Sequence, residues 1–329
     1  MSTCRRILTC VAVVAAPAFA SSAAQPASGT DPNIIVRGER QPPTNAQIAD
    51  QARNISIIGS PLDNPLPRFE DRVCPGVQGL KGDDAAYIIQ RVRQNAERFK
   101  IRLAEDGTCQ PNFIVAFVED AQGQMSQLAR NQGYMLAGLS VDQRGELVDA
   151  PGAARVWTNT VMRTNTGAPA PNRRETGNAP ERVLSYDPTT GAASTLSGMP
   201  PEARGNASHS RIYFPLREDI YSVLIIFDRD QVRDKTLLQL ADYATMRGLA
   251  FTRETRGEVS ADTILGLFDG EGPKAQRLTT FDLGYLGSLY DGIPNMPAMS
   301  KIRNVGRHME RQAAVTDQSP ETQPQAGGE

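Results

Sequence analysis

The chain has 329 residues, of which 40% are hydrophobic and 22% charged, and its formal net charge is −2. This near-neutral balance argues against a basic surface for nucleic acid or for an anionic membrane, so we expect neither as a partner. The length allows one large domain with a sizeable core. After the N-terminal segment, no apolar run is long enough to cross a bilayer, and we expect no membrane span beyond that segment.

The first twenty residues have the pattern of a secretory signal peptide. Arg5 and Arg6 form a basic start, an apolar run follows over 7–16, and 18–20 read Ala-Phe-Ala, a small-x-small cleavage site. The run is too short for a spanning helix. We therefore expect a signal peptide over 1–20, cleavage after Ala20, and export to the periplasm or the medium.

Composition divides the rest of the chain. Residues 21–65 are rich in Ser, Ala, Gln, Asn and Pro and show little periodicity, which predicts a flexible leader. A single domain is predicted over 66–313 and a disordered tail over 314–329. Within the domain, residues 164–208 nearly lack large apolar side chains, which predicts a long loop.

Cysteine usage agrees with export. Cys4 and Cys10 lie in the predicted signal peptide, which leaves Cys74 and Cys109 in the exported chain. An oxidising compartment would join this pair, closing a loop of roughly 35 residues that is worth about 3–4 kcal/mol by chain entropy. Two buried free thiols or one reactive thiol are the alternatives. Since there is no C-x-x-C spacing and no histidine nearby, we favour a structural disulfide.

The first half of the predicted domain alternates helices and strands. Apolar residues at helical spacing predict a helix over 83–104, capped by the two aspartates at its start. The run FIVAFV at 113–118 is too short for a helix and predicts a buried central strand. Two short helices are predicted at 122–137 and 141–149, followed by a strand at 155–162.

The second half begins with two strands, 211–215 and 221–227, which the pattern predicts as a hairpin. Asp234 or Thr236 can cap the next helix, which contains residues 241–251. Three further helices are predicted at 260–268, 279–290 and 298–313. This order of elements is typical of an α+β fold with a mixed sheet packed on helices.

The helix after the predicted hairpin contains ADYATMRGLAF, which resembles the H-E-x-x-H-x-x-G-x-x-H helix of zincin metallopeptidases with its metal-binding positions replaced. Ala241, Thr245 and Phe251 stand at the three histidine positions, and Asp242 stands at the catalytic glutamate. Only Gly248 is kept. Zinc requires imidazole, thiolate or carboxylate ligands, so we expect no metal and no cofactor at these positions.

A second stretch, 278–291, resembles the helix that follows the Met-turn in matrixin-type metzincins, although Met296 and Met299 come too late to form that turn. The region 68–312 is also similar to exported alphaproteobacterial proteins without assigned chemistry. Some of these are distantly zincin-like and carry a Glu-Glu-rich helix in place of the histidine motif. The resemblance implies a zincin-like α+β fold in which the strand before the motif helix edges a cleft.

Two residues are candidates for catalysis. Asp242 would act as a general base if burial shifted its pKa; otherwise it would face solvent or pair with an arginine such as Arg247. His209 precedes a predicted strand and would point into a cleft below the 164–208 loop. The second histidine, His308, is expected to be solvated on a polar helix.

These observations predict an exported envelope protein that is not an enzyme: a zincin-like binding or structural protein whose partner is a protein, a peptide or an envelope polymer. The alternative is a hydrolase with reassigned chemistry in the former zinc cleft, which requires Asp242 and His209 to converge. A purely structural or assembly role is the third class.

Overall fold

The computed structural model of the protein describes residues 42–58, 62, 64–131, 136, 139, 141–149, 152–170, 184–186, 193–195, 212–255, 259–270 and 273–317. The predicted signal peptide, most of the predicted leader, His209 and residues 318–329 lie outside this set. The described residues from Pro43 onward belong to one compact unit.

A four-stranded mixed sheet organises the fold. Strands β1 (Pro75–Gln78), β2 (Phe113–Val118) and β6 (Leu216–Asp228) run parallel in that order, and β3 (Ala154–Thr164) pairs antiparallel with β6. The α+β prediction is confirmed, as is the central strand β2, whose apolar run suits a strand covered on both faces. The strand that leads into the motif helix, β6, lies between β2 and β3, and β3 forms one edge of the sheet.

The predicted hairpin of strands 211–215 and 221–227 is wrong. Within the described residues, β6 is one continuous strand that pairs with β3 along its whole length. The register shifts so that Asn159 faces Ser222 while Thr160 faces Ile220, leaving one extra residue in β6 as a bulge. The first residues of β6 are polar, and they form a strand because β3 supplies their backbone hydrogen-bond partners. The local sequence pattern does not reveal this pairing.

Helices cover both faces of the sheet, and they separate two cores. Alternate residues of β2 point to opposite faces, so Val115 joins the main core and Ala116 the smaller one. The main core includes helices α1 (Asn45–Ile55), α2 (Gly82–Arg98), α5 (Leu237–Leu249), α6 (Thr280–Tyr290) and α7 (Ala298–Asp317). The smaller core includes α3 (Ala121–Asn131) and residues of α4 (Val141–Val148).

Helix α1 corrects the prediction of a flexible leader over 21–65. Its start is closed by a capping box between Thr44 and Gln47. Its buried face packs against α7, where Gly306 leaves room for the side chain of Asn45. An eleven-residue helix with few apolar positions is marginal alone, so this contact decides its structure.

Helix α2 begins and ends differently from its prediction. Asp83 and Asp84 lie in the first turn, where their negative charges interact favourably with the helix dipole. The N-cap residue is Lys81, whose side chain makes no capping hydrogen bond. The helix ends at Arg98 instead of near 104, because Lys100 adopts a left-handed φ of 58° and turns the chain.

Other boundaries follow the predictions more closely. The segment predicted as a helix over 260–268 forms a 3₁₀ helix at Ile264–Phe268, and α7 continues past 313 into the predicted tail. The predicted loop 164–208 includes a turn over 164–170 and a short hairpin of β4 (Leu184–Tyr186) and β5 (Ala193–Thr195). Much of the remaining loop lies outside the described residues.

The predicted disulfide is confirmed. Cys74 and Cys109 are bonded, with their Cα atoms 6.1 Å apart, so the bridge ties the start of β1 to the turn that precedes β2. The side chain of Asn112 supports the same junction by accepting a hydrogen bond from the Cys74 backbone N–H at 2.8 Å. None of the helices in the described ranges combines the length and the apolar character needed to cross a bilayer.

Candidate functional site

Helix α5 carries most of the stretch that resembles the zincin motif, and the corresponding positions on the helix lie in the core. Ala241, Asp242 and Thr245 have no exposed surface. Gly248 is buried as well, and a Cβ at this position would lie 2.4 Å from Phe113 Cε2 on β2. The glycine of the frame is therefore required by the close approach of the helix to the sheet, a packing role that needs no metal.

The third histidine position lies beyond the helix. Phe251 follows the C-cap residue Ala250 and adopts a positive φ of 43°, which is uncommon for a residue with a side chain. There the chain reverses direction, so that Thr252 forms a β-bridge with Ser56. The Phe251 side chain packs against the main core, where it closes the end of the helix.

Asp242 is the centre of a buried hydrogen-bond network. The Arg91 guanidinium donates to both carboxylate oxygens, from Nε at 2.6 Å and Nη2 at 2.8 Å. Asn95 Nδ2 donates to Oδ1 at 2.8 Å, and the Leu278 backbone N–H donates to Oδ2 at 2.8 Å. Each oxygen thus accepts two bonds, which fills the acceptor capacity of a carboxylate. Asp242 joins α2, α5 and the start of α6, and no acceptor site is left for a substrate proton.

Asp242 pairs with an arginine, as one of the sequence expectations had it, but that arginine is Arg91 and not the suggested Arg247. Arg247 Nη1 donates to the Tyr243 hydroxyl at 2.9 Å, and that hydroxyl donates to Glu254 Oε1 at 2.7 Å. Residues five apart lie on different faces of a helix, so Arg247 points away from Asp242. Arg91 pairs with Asp242 instead, and its hydrogen bond to the carboxylate raises the pKa of the Arg91 guanidinium.

The second histidine position is also satisfied internally. Thr245 donates its hydroxyl to the Ala241 carbonyl at 2.8 Å and accepts a bond from Asn95 Nδ2 at 3.0 Å. Across the described ranges, no three histidine, cysteine, aspartate or glutamate side chains are grouped so that they could hold a metal ion.

The two histidines have different outcomes. His209 lies outside the described residues, so its convergence with Asp242 stays a prediction. His308 was expected to be solvated, but only 8% of it is exposed, and Nε2 lies 3.4 Å from Asp291 Oδ2. Burial lowers the pKa of His308, and the nearby Arg311 lowers it further. His308 packs between α6 and α7 and is not grouped with Asp242.

Asp282 is a second buried carboxylate with no exposed surface. It closes the capping box of α6 with Thr279, as its place near the helix start predicts. It also accepts the Thr263 hydroxyl at 2.5 Å and the Ile264 backbone N–H at 2.9 Å, which ties the 3₁₀ helix to α6. Burial raises the pKa of Asp282 to about 6.

Sequence reasoning missed Arg91 and Asn95 as partners of Asp242. A signal for Asn95 was present: it falls on the apolar face of α2, three residues after Val92 and seven after Ile88. A polar side chain at such a position needs a buried partner. The partner's identity, about 150 residues away in sequence, had no local signal.

The outer edge of β3 is a second candidate surface. The Met162 carbonyl and the Thr164 N–H bond outward to the turn after the strand, so the even-numbered residues of β3 point their backbone groups away from β6. Among the described residues, the backbone groups of Val156, Thr158 and Thr160 on this edge have no hydrogen-bond partner. The buried Thr158 hydroxyl also lacks one in the described structure.

No protein-family model, curated protein or solved structure matches this chain. The zincin resemblance therefore rests on the two sequence stretches in α5 and α6.

Proposed function

We propose that this protein is an exported, non-catalytic, zincin-like protein of the cell envelope that binds an extended peptide segment along the outer edge of β3. A hydrolase that uses Asp242 is the alternative, and the contacts of that residue argue against it.

The observation that carries the non-catalytic assignment is the saturation of Asp242. A general base must reach a substrate or a water molecule and hold a free acceptor site. Asp242 has no exposed surface and accepts four hydrogen bonds, two of them from a guanidinium. Removing it from this network would leave Arg91 and Asn95 without their acceptor, a cost that catalysis would have to overcome at each turnover.

The zincin-like part of the proposal is supported by the meeting of the two resembling stretches. Asp242 stands at the glutamate position of the first stretch, and Leu278 opens the second. The Leu278 N–H donates to Asp242 Oδ2 at 2.8 Å. In place of a metal, a buried carboxylate connects the motif helix to the helix that follows it.

The peptide-binding part is supported by the length and composition of the edge. β3 spans eleven residues, whereas a typical strand has about five or six. Proteins commonly protect long edges with proline, lysine or a covering element. Residues 168–170 cover the last residues of β3, 162–164, and the strand itself contains no proline and no lysine. An extended segment added beside Val156, Thr158 and Thr160 would pair with their backbone groups and extend the sheet.

The envelope location is supported by the signal-peptide pattern of residues 1–20 and by the Cys74–Cys109 disulfide, which suits an oxidising compartment. The proposal covers the periplasm and the medium alike. Its partner is a peptide or an extended segment of an envelope protein.

The test uses the exported protein, purified with its disulfide intact, and a fluorescein-labelled octapeptide of threonine and valine. Fluorescence anisotropy measures binding of the octapeptide to the protein. We expect the wild type to bind the octapeptide, to contain no stoichiometric zinc by elemental analysis and to hydrolyse no peptide. T158P should abolish binding, because proline removes the outward N–H at the centre of the edge.

T158V is the matched control, since it removes the unpartnered hydroxyl and keeps the backbone donor. It should bind like the wild type. Stoichiometric zinc or peptide hydrolysis would overturn the non-catalytic assignment. Equal binding by the wild type and a folded T158P variant would overturn the edge assignment.

A further inference from the structure

A carboxylate lies beside the edge of β3 to which the proposed function assigns a peptide. Val156 joins the main core, and Thr158 and Thr160 lie on the same face of the strand because alternate residues share a face. Glu218 on β6 belongs to this face as well, since its Oε1 accepts the Thr160 hydroxyl at 2.7 Å. The carboxylate is therefore one strand inward from the edge.

Glu218 is half-buried and has no counter-charge. In the part of the chain that the structure describes, no arginine, lysine or histidine pairs with it, whereas the carboxylates of Glu70, Asp71 and Asp219 at the same end of the sheet each pair with an arginine. Burial raises the pKa of Glu218, and the Thr160 hydrogen bond lowers it. A cation beside this carboxylate would offset the cost of its burial.

A second polar group on this face also lacks a partner. Thr158 is 7% exposed, and its hydroxyl makes no hydrogen bond in the described structure. It lies two residues before Thr160 along the same edge, so both residues face the same incoming strand. Buried polar groups are normally satisfied. The unsatisfied hydroxyl and the uncompensated carboxylate together indicate a polar occupant whose positive charge lies at the Glu218 end.

The turn after β3 fixes where a bound peptide begins. Residues 168–170 already pair with 162–164 on the outer edge and run antiparallel to β3. Thr160 is therefore the first outward-facing position left for a peptide. An octapeptide that runs antiparallel to β3 places its second residue opposite Thr160 and its eighth opposite Ala154.

We propose that Glu218 binds the lysine or arginine side chain of the peptide residue that lies opposite Thr160. In an antiparallel pair, that side chain lies on the same face as Thr160, and a long side chain reaches the diagonal neighbour. Its aliphatic stem lies along Met162, which is exposed on this face, and its charged end meets Glu218. This inference rests on the proposed function and adds a side-chain preference to it.

The experiment compares N-acetylated octapeptides of threonine and valine, labelled with fluorescein at the C-terminus, by fluorescence anisotropy. Acetylation removes the terminal ammonium group, so only a side chain supplies positive charge. The second position holds lysine, norleucine or glutamate. We expect the lysine peptide to bind about fivefold tighter than the norleucine peptide, as for a partly exposed charge pair, and the glutamate peptide to bind more weakly than both. The lysine preference should shrink as salt concentration rises.

Lysine at the sixth position is the matched peptide control. That residue lies opposite Val156, on the same face but two residue pairs further from Glu218. It should bind no tighter than norleucine at the sixth position. An equal lysine preference at both positions would show a general attraction of cations to the protein and would overturn the assignment to Glu218.

The variant E218Q identifies the carboxylate. Glutamine keeps an acceptor for the Thr160 hydroxyl and removes the charge, so we expect the fold to be retained, and thermal melting checks this. The variant should lose the lysine preference at the second position and still bind the norleucine peptide. D71N is the matched control and should keep the preference, because Asp71 lies at the same end of β3 and already pairs with Arg163 at 3.2 Å.

The outcomes separate the two proposals. If lysine and norleucine at the second position bind equally, or if E218Q keeps the preference, the Glu218 assignment is overturned and the edge assignment stands. If none of the peptides binds the wild type, both are overturned.

Discussion

Asp242 and Asp282 are two buried carboxylates in similar positions with different surroundings. Both have no exposed surface, both accept four hydrogen bonds and both join neighbouring helices. Asp242 faces the guanidinium of Arg91, whereas Asp282 is held only by hydroxyl and amide donors. A counter-charge stabilises the ionised form, and without one burial favours the neutral form. The comparison shows that a counter-charge makes Asp242 half of a structural ion pair, whereas Asp282 has no such partner.

The largest expected effect is that of D242A. The substitution leaves the Arg91 charge and the buried Asn95 amide without their acceptor, so we expect a loss of about 3–4 kcal/mol in the free energy of unfolding. Urea denaturation followed by circular dichroism measures it, with D242N as the milder control. A loss below about 1 kcal/mol would show that the ion pair is not structural.

D282A should cost less, about 2 kcal/mol, because no charged partner is left behind. The loss comes from the capping box and from the unsatisfied Thr263 hydroxyl and Ile264 N–H. The same denaturation assay compares it with D242A. A D282A variant less stable than D242A would contradict the importance of the counter-charge.

The third prediction concerns pH. The pKa of Asp282 is raised to about 6 in the folded protein, above the ordinary value of 3.8. The folded state therefore binds the proton more tightly, and this contribution to stability is present at low pH and lost as pH rises through about 6. Relative to D282N, the wild type should gain about 1 kcal/mol between pH 7 and pH 5. Parallel stability curves for the two proteins over this range would contradict the raised pKa.

The smallest expected effect is that of R91K. Lysine keeps the positive charge beside Asp242 but loses the planar fork that binds both oxygens. Because the Arg91 side chain is 25% exposed, water replaces part of what is lost, and we expect about 0.5–1 kcal/mol. R91A, which removes the charge, provides the contrast: if R91K is as unstable as R91A, attraction between the charges contributes little.

Several elements were predictable because their signals are local. The apolar run of β2 is too short for a helix and therefore predicts a strand. Thr236, one of the two predicted caps, closes the start of α5 through a capping box with Gln239. The Cys74–Cys109 bridge was predicted from the number of cysteines and the expectation of export. Other elements had no local signal. Helix α1 depends on α7, and the polar start of β6 depends on β3.

The candidate site divides in the same way. The lack of zinc ligands at Ala241, Thr245 and Phe251 is a property of the residues themselves, since none of these side chains offers a suitable donor. The role of Asp242 cannot be deduced from the residue itself, because its partners lie on α2 and just before α6, far away in sequence. A carboxylate at a given position can be a base, a surface charge or half of an ion pair.

The sequence by itself determined the fold class, the disulfide and the lack of zinc ligands at Ala241, Thr245 and Phe251, because apolar periodicity, cysteine number and ligand chemistry are local properties. Only the tertiary structure decided that Arg91 neutralises Asp242 and that β3 forms the edge of the sheet. Those outcomes depend on which distant segments pack together, and burial then sets the energy of each charge and each unpaired backbone group.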